Sequence, residues 1–296
     1  MSRQGQTATT FRDKWTRNPD LAWEQTLDES SEIFRWILGR NGFETPDELK
    51  AFLADKRRIL DAGCGNGRVT ALLRRYSPAE AEVVGMDLTA AEVARENLRE
   101  MPGVTVLEGD ILDEHQELGS FDFIYCQEVL HHTSDPERGL RNLAALLAPD
   151  GDLAVYVYRQ KAPVREFTDD LVRDGMSGMP YEQAMEECRN IAQLGKSLAD
   201  LGVTVAVPRI DVVGIEPGEY DVQRLIYHFF MKCFWNDELD AEANAAINFD
   251  WYHPRLASRH TVEECRSWFD RAGLRVTRQH VDPYGITLWG SAATGE

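Results

Sequence analysis

The sequence predicts an α/β protein built on an open, mainly parallel sheet, and three observations lead there. From Arg58 onward, short β-branched runs alternate with amphipathic helical stretches. A glycine-rich turn follows the first of these runs directly, and two extended runs close the chain with almost no connection between them.

Residues 1–56 are polar with apolar spikes. Ile33, Phe34, Ile37 and Leu38 recur at helical spacing, and Thr45-Pro46-Asp47-Glu48 has the form of a capping box with Pro at the first helical position. This stretch reads as an N-terminal helical extension. Strands are expected over Arg58 to Asp61, Glu82 to Asp87, Val104 to Leu107, Phe121 to Cys126 and Asp152 to Tyr158. Thr89-Ala90-Ala91-Glu92 is expected to cap the second helix of this region. Ser134-Asp135-Pro136-Glu137 opens the fourth, which ends before a turn at Pro149-Asp150-Gly151.

The alternation stops over residues 159–256, expected to be mainly helical, and resumes at the capping box Thr261-Val262-Glu263-Glu264, whose helix ends at Gly273. Leu274 to Val281 and Gly285 to Trp289 are joined only by Asp282, Pro283 and Tyr284. A parallel crossover takes a dozen or more residues, so these two strands must be antiparallel.

Composition narrows the function. The chain has 296 residues, 43% of them hydrophobic, with 32 Lys+Arg against 50 Asp+Glu and a net charge of −18. Such a charge repels phosphate backbones and anionic lipid surfaces, and no basic patch interrupts it, so neither nucleic acid nor membrane is expected as a partner. No apolar run approaches the roughly 18 to 20 residues that span a bilayer, and the N-terminus lacks an apolar signal core, which points to the cytoplasm. The five cysteines (Cys64, Cys126, Cys188, Cys233, Cys265) are scattered without a CxxC pair, so free thiols and no metal are expected.

Ile59 to Gly67 reads ILDAGCGNG, an apolar strand ending in Asp61 and running into GxGxG before a helix. Glycines there let the backbone turn tightly and approach a ligand that a Cβ would exclude. The next strand ends in Asp87, where a carboxylate can accept hydrogen bonds from both hydroxyls of a ribose. The third leads into GDI, placing Asp110 and Ile111 at the same sheet edge, where ligands bind open α/β sheets.

ILDAGCGNG, VVGMDLT, EGDIL and FDFIYCQEVLHHTSDP resemble, in order and spacing, the successive motifs of class I S-adenosylmethionine-dependent methyltransferases. The resemblance covers residues 58–158 and, for the terminal helix and hairpin, 261–290. It implies a Rossmann-like sheet of seven strands with the last antiparallel. The core would be 57–158 and 257–296, the extension 1–56 a cover, and 159–256 an insertion forming a lid and acceptor site. It also implies that Asp61, Gly63, Cys64 and Gly65 line the methionine part of the cofactor and that Asp87 holds the ribose. Leu88 and Ile111 would flank the adenine, Asp110 would meet its amine, and Cys126 and Gln127 would close the pocket near the sulfonium. A nicotinamide enzyme is the rival cofactor reading, but its turn is GxGxxG and its sheet all parallel.

His131 and His132, directly after the fourth strand, are the candidate bases near neutral pH, with Glu128 similarly placed. The acceptor should be met by what the common core lacks. Segment 159–256 carries 10 Lys+Arg and 17 Asp+Glu, which argues against a nucleic-acid groove. Tyr227, Phe230, Met231, Phe234 and Trp235 fall on one helical face, His228 lies off that stripe, and Asp250, Trp251, Tyr252 and His253 are expected in a loop before Pro254. Tyr227, His228, Trp251, Tyr252, His253 and Tyr284 are the acceptor-site candidates, with Trp15 and Arg17 as further cover over the cofactor. A small-molecule acceptor is expected, with a macromolecular methyltransferase or a non-catalytic cofactor-binding subunit as alternatives. A homodimer is compatible with the sequence.

Overall fold

The chain opens with four helices, and their caps show why they form. A computed structural model describes residues 2–292; residue 1 and residues 293–296, the ends of the expected 1–56 and 257–296 segments, lie outside the described residues. The helices are α1 (Arg3–Arg17), α2 (Trp23–Leu27), α3 (Glu32–Arg40) and α4 (Pro46–Leu53). Ser31 caps α3 by accepting from the Phe34 amide, and Thr45 caps α4 by accepting from that of Glu48.

The α/β alternation follows as β1 (Arg58–Ala62), α5 (Arg68–Tyr76), β2 (Glu82–Asp87), α6 (Ala91–Leu98), β3 (Val104–Glu108), β4 (Phe121–Gln127), α7 (Pro136–Ala144) and β5 (Leu147–Tyr158). Next come α8 (Pro163–Met176), α9 (Tyr181–Ala199), β6 (Thr204–Val207), β7 (Gly218–Asp221), α10 (Val222–Phe229) and α11 (Ala241–Tyr252). The chain closes with α12 (Val262–Arg271), β8 (Leu274–Val281) and β9 (Gly285–Ala292).

Seven strands form one sheet in the order β3-β2-β1-β4-β5-β9-β8. β1 to β5 pair in parallel with their neighbours, whereas β9 runs antiparallel to both β5 and β8. The sequence expectation of a seven-stranded sheet with the last strand antiparallel is therefore met. Both faces of the sheet are covered, as its near-continuous apolar strands require. Leu60, Ile124, Cys126 and Leu153 pack with Leu140 of α7 and Trp268 and Phe269 of α12. Ile59, Phe123, Tyr125 and Trp289 pack with Phe34 and Ile37 of α3, Leu53 of α4 and Leu72 of α5.

The described chain divides into two compact units. One comprises Lys14–Arg159 with the residues from Ser258 onward, and holds the seven-stranded sheet; the other comprises the residues up to Asp13 with Gln160–Ala257. In the second unit α8, α9, α10 and α11 accompany a small antiparallel hairpin of β6 and β7 that the sequence reading did not contain. Among the described residues, no helix is long and apolar enough to cross a membrane.

Four local expectations are corrected. Helix α6 is not capped by Thr89: its N-cap is Ala90, and the Asp87 carboxylate takes the Ala90 amide instead at 2.9 Å. The turn at Pro149-Asp150-Gly151 survives as an irregularity inside β5, where pairing steps from Phe121↔Leu147 to Phe123↔Asp152. The aromatic stripe is not one helical face, because α10 ends at Phe229. Beyond it, Asn248 Oδ1 and Nδ2 of α11 bond the backbone N–H and C=O of Phe234, and Asn244 does the same for Asn236, so side-chain amides hold that segment outside any helix. Finally, Asp250, Trp251 and Tyr252 are not in a loop. They form the last turn of α11, which ends at Tyr252 with His253 as its C-cap.

Candidate functional site

The carboxyl ends of β1 and β2 are joined by the glycine turn. Gly63 and Gly65 have φ of +87° and +57°, which favours glycine, and a Cβ on Gly63 would come within 2.2 Å of Val129. The Gly63 and Cys64 amides donate to the Met86 carbonyl at 2.7 and 3.1 Å, and the Gly65 amide donates to Asp87 Oδ2 at 2.9 Å. The other Asp87 oxygen accepts from the amides of Thr89 and Ala90 at 2.8 and 2.9 Å. A half-buried carboxylate is thus fixed at the tip of β2 by three backbone donors, with Leu88 half-buried beside it.

Asp61 sits in β1 beneath this turn, 2% exposed, and accepts from the Thr70 hydroxyl of α5 at 2.6 Å. Burial pushes its carboxyl up to about 7, against the Thr70 hydrogen bond and with help from the nearby Asp87 charge. A positive group brought alongside would reverse that shift. Cys64 contributes its backbone only, since its side chain is buried in a small apolar cluster with Ala71, Ala94 and Leu98. Asp110 Oδ1 accepts from the Leu112 amide at 2.9 Å, and Ile111 is buried in the main core. The Trp15 indole lies against the turn, where a Cβ on Gly65 would meet its ring at 2.8 Å, while Arg17 is exposed.

The end of β4 departs from the expectation for two residues. Cys126 points into the core at 0% exposure, where burial and then the Asp61 charge raise its thiol above the usual range, so its side chain cannot close a pocket. Gln127 exchanges hydrogen bonds with Asn41, whose Oδ1 also accepts from Trp289 Nε1 at 3.0 Å. That amide is committed to joining β4 to the loop after α3.

His131 and His132 lie in a single 3-10 turn, Leu130–His132, and are 0% and 7% exposed. The His131 ring stacks on Tyr158 at 3.6 Å between centroids, whereas His132 meets the same ring edge-on at 5.5 Å. Tyr284 is half-buried in the β8–β9 turn, its amide donating to Asp282 Oδ1 at 2.7 Å.

A group that sequence reasoning missed lies alongside. Arg40, at the end of α3, is 2% exposed, with its guanidinium 3.9 Å from the Trp36 ring centroid and 4.7 Å from that of Tyr156. Its Nη2 donates to the Tyr125 hydroxyl at 3.1 Å, and Nη1 lies 3.5 Å from the Glu128 carboxylate. Burial works against its charge, but Tyr125, Glu128 and Tyr156 outweigh that and hold it firmly protonated. Glu128 is one of two non-glycine residues described with positive φ, at +66°, a conformation costing of order 1–3 kcal/mol that clusters at functional sites. It also faces Arg68, with 3.8 Å between Oε2 and Nη2. The sequence held no distinct signal for Arg40, one of three charged residues in α3 with Glu32 and Arg35.

The remaining acceptor candidates belong to the second unit and are built into its interior. The Tyr252 hydroxyl, with one proton to donate, lies 3.0 Å from Asp169 Oδ1 and 2.9 Å from the Lys232 carbonyl. His253 is bonded to Thr10 through Nδ1 at 2.8 Å and to the Met179 carbonyl through Nε2 at 3.1 Å. Trp251 is 3% exposed, and its carbonyl accepts from Arg173. Tyr227 is buried beside Arg165, and His228 is half-buried against Tyr227. The structure therefore gathers Asp61, Gly63, Gly65 and Asp87 into one constellation and leaves Tyr252 and His253 as partners of their own unit.

A family model described as a methyltransferase domain matches residues 60–155. The trans-aconitate 2-methyltransferase of Methylobacterium radiotolerans is 30% identical over 234 residues, covering 79% of this chain and 77% of that protein. The protein of the same name from Deinococcus radiodurans is 37% identical over 113 residues, 37% of this chain, and the chain spans 42% of its length. Among solved structures, that of PKMT2 from Rickettsia typhi in complex with AdoHcy has a TM-score of 0.52 at 17% identity, covering 82% of this chain and 49% of that one.

Proposed function

The chain belongs to the class I S-adenosylmethionine-dependent methyltransferases, and we propose that it transfers the cofactor's methyl group to a small-molecule acceptor. The observation that carries this is the hydrogen bond from the Gly65 amide to Asp87, which ties the glycine turn to the carboxylate at the end of β2. In this reading Asp87 takes the ribose hydroxyls, Leu88 and Ile111 flank the adenine, and Asp110 meets its amine. Asp61 and the backbone of Gly63, Cys64 and Gly65 face the methionine part, and Trp15 covers the turn.

The cofactor, when bound, supplies an electrophilic methyl on a sulfonium. What the chain adds is position: holding acceptor and methyl in near-attack geometry is worth up to about 7–11 kcal/mol in favourable cases. His132 is the proposed base where the acceptor must lose a proton, because its ring is edge-on to Tyr158, while the fully buried His131 is stacked flat against it. Acceptor choice is assigned to residues outside the matched stretch 60–155. A small molecule is favoured over RNA by the net charge of −18, and the two trans-aconitate methyltransferases are named for a small acceptor.

Methyl-labelled cofactor incubated with a metabolite library, with mass spectrometry of the products, tests the reaction. Tight cofactor binding by calorimetry with no labelled product from any metabolite would favour a binding module instead. Asp87→Ala is expected to weaken cofactor binding by about 1–3 kcal/mol, since it removes charge-assisted hydrogen bonds; unchanged affinity by calorimetry would remove the carrying observation.

A further inference from the structure

Arg40 is the buried charge that the cofactor reading leaves unused. Among the described residues its Nε and Nη1 have no hydrogen-bond partner, although the side chain is only 1% exposed. Native chains rarely leave buried donors unsatisfied, so such a group marks a position where a partner belongs. The cation is held in place on every side. Trp36 and Tyr156 supply ring faces, Tyr125 accepts from Nη2, and among the described residues the Glu128 carboxylate lies 3.5 Å from Nη1, a donor that makes no hydrogen bond. Arg68 approaches the same carboxylate at 3.8 Å, while its own Nη1 donates to Thr26 Oγ1 at 2.7 Å. Glu128 itself is 35% exposed and strung in a left-handed conformation directly after β4.

We propose, resting on the methyltransferase reading above, that Arg40 with Arg68 anchors a carboxylate of the acceptor and that Glu128 stands in for it as a built-in counter-ion. Both arginines match a planar carboxylate in shape and charge. The location fits, because the end of β4 lies at the sheet edge where the cofactor motifs converge. The net charge of −18 also repels an anionic acceptor at long range, so recognition of such a molecule must come from a cation at short range. Glu128 bridges the two arginines in the unliganded chain and turns outward when the acceptor arrives.

The test is calorimetry on the full chain saturated with S-adenosylhomocysteine, using benzoate, succinate and citrate against benzamide, succinamide and inorganic phosphate. At least one acid should bind tenfold or more tightly than its amide and than phosphate. Arg40→Gln should erase that preference, with Arg40→Lys as the milder variant that keeps the charge, and Glu128→Gln should tighten acid binding three- to tenfold. S-adenosylhomocysteine affinity should move less than twofold in all three. Equal binding of acids and amides alongside labelled product from neutral acceptors overturns the anchor and leaves the methyltransferase reading standing. Preference for phosphate overturns the carboxylate assignment, and a tenfold loss of S-adenosylhomocysteine affinity in Arg40→Gln with acid binding intact assigns the arginine to the cofactor. Failure of the unaltered chain to bind S-adenosylhomocysteine at all sinks both.

Discussion

At the scale of single residues, the candidate site holds two carboxylates in different surroundings. Asp87 is half-buried and held by backbone amides, whereas Asp61 is buried with one hydroxyl donor and is pushed up to about 7. A carboxyl raised above its unfolded value near 3.9 stabilises the folded chain below that value, and this contribution is lost as pH rises through about 7. Binding a cationic cofactor favours the ionised form, so below pH 7 binding must first drive off a proton. Cofactor affinity measured by calorimetry is therefore expected to rise from pH 5 to 7, by up to about tenfold per unit, and then level off. Asp61→Asn should flatten that profile; a slope surviving in the variant would assign the proton elsewhere. His132→Gln should lower kcat by 10² to 10⁴-fold, roughly the worth of a general base, and remove the acidic limb of the kcat/KM profile. A loss below about tenfold with the limb intact would make His132 a packing residue for Tyr158.

At the scale of elements, what was legible in the sequence was local. Thr45, Asp135 and Thr261 each cap the helix that follows, because the cap bond spans only three residues and needs nothing from the rest of the chain. Thr89 fails as a cap because its hydroxyl donates back to the Asp87 carboxylate at 3.1 Å and the helix starts one residue later, after Ala90. The stripe from Tyr227 to Trp235 has helical spacing, but Asn244 and Asn248 claim the backbone of Phe234 and Asn236 from eight and fourteen positions away, which no periodicity reveals. Arg40 escaped notice for the same reason, since its meaning comes from Tyr125 of β4, Glu128 just after it and Tyr156 of β5. Thr261→Ala, which removes the acceptor of the Glu264 amide ahead of α12, is expected to cost about 1 kcal/mol in urea unfolding. A change within a few tenths would mean the packing of Trp268 and Phe269 holds that helix without its cap.

At the scale of the whole molecule, the alternation of strands and helices made the mainly parallel sheet legible, while its strand order and the interior of the inserted segment depended on contacts that only folding creates. The two compact units differ in which candidate cofactor residues they hold. The unit of Lys14–Arg159 and the chain from Ser258 onward contains Asp61, the glycine turn and Asp87, whereas the other contains none of them. A ligand that binds only the folded state stabilises it by about 2.7 kcal/mol at a hundred times Kd, which is about a hundredfold in the opening equilibrium. Hydrogen exchange with S-adenosylhomocysteine at that level should then slow the most protected amides of β1, β2 and β4 by up to about a hundredfold. The amides of α9 and α11, in the unit without the cofactor motifs, should exchange at nearly their unliganded rates. Equal slowing in α9 and α11 would show that the two units open together and that cofactor binding is felt by a single cooperative structure; no slowing in β1 and β2 would remove the cofactor from the end of β2.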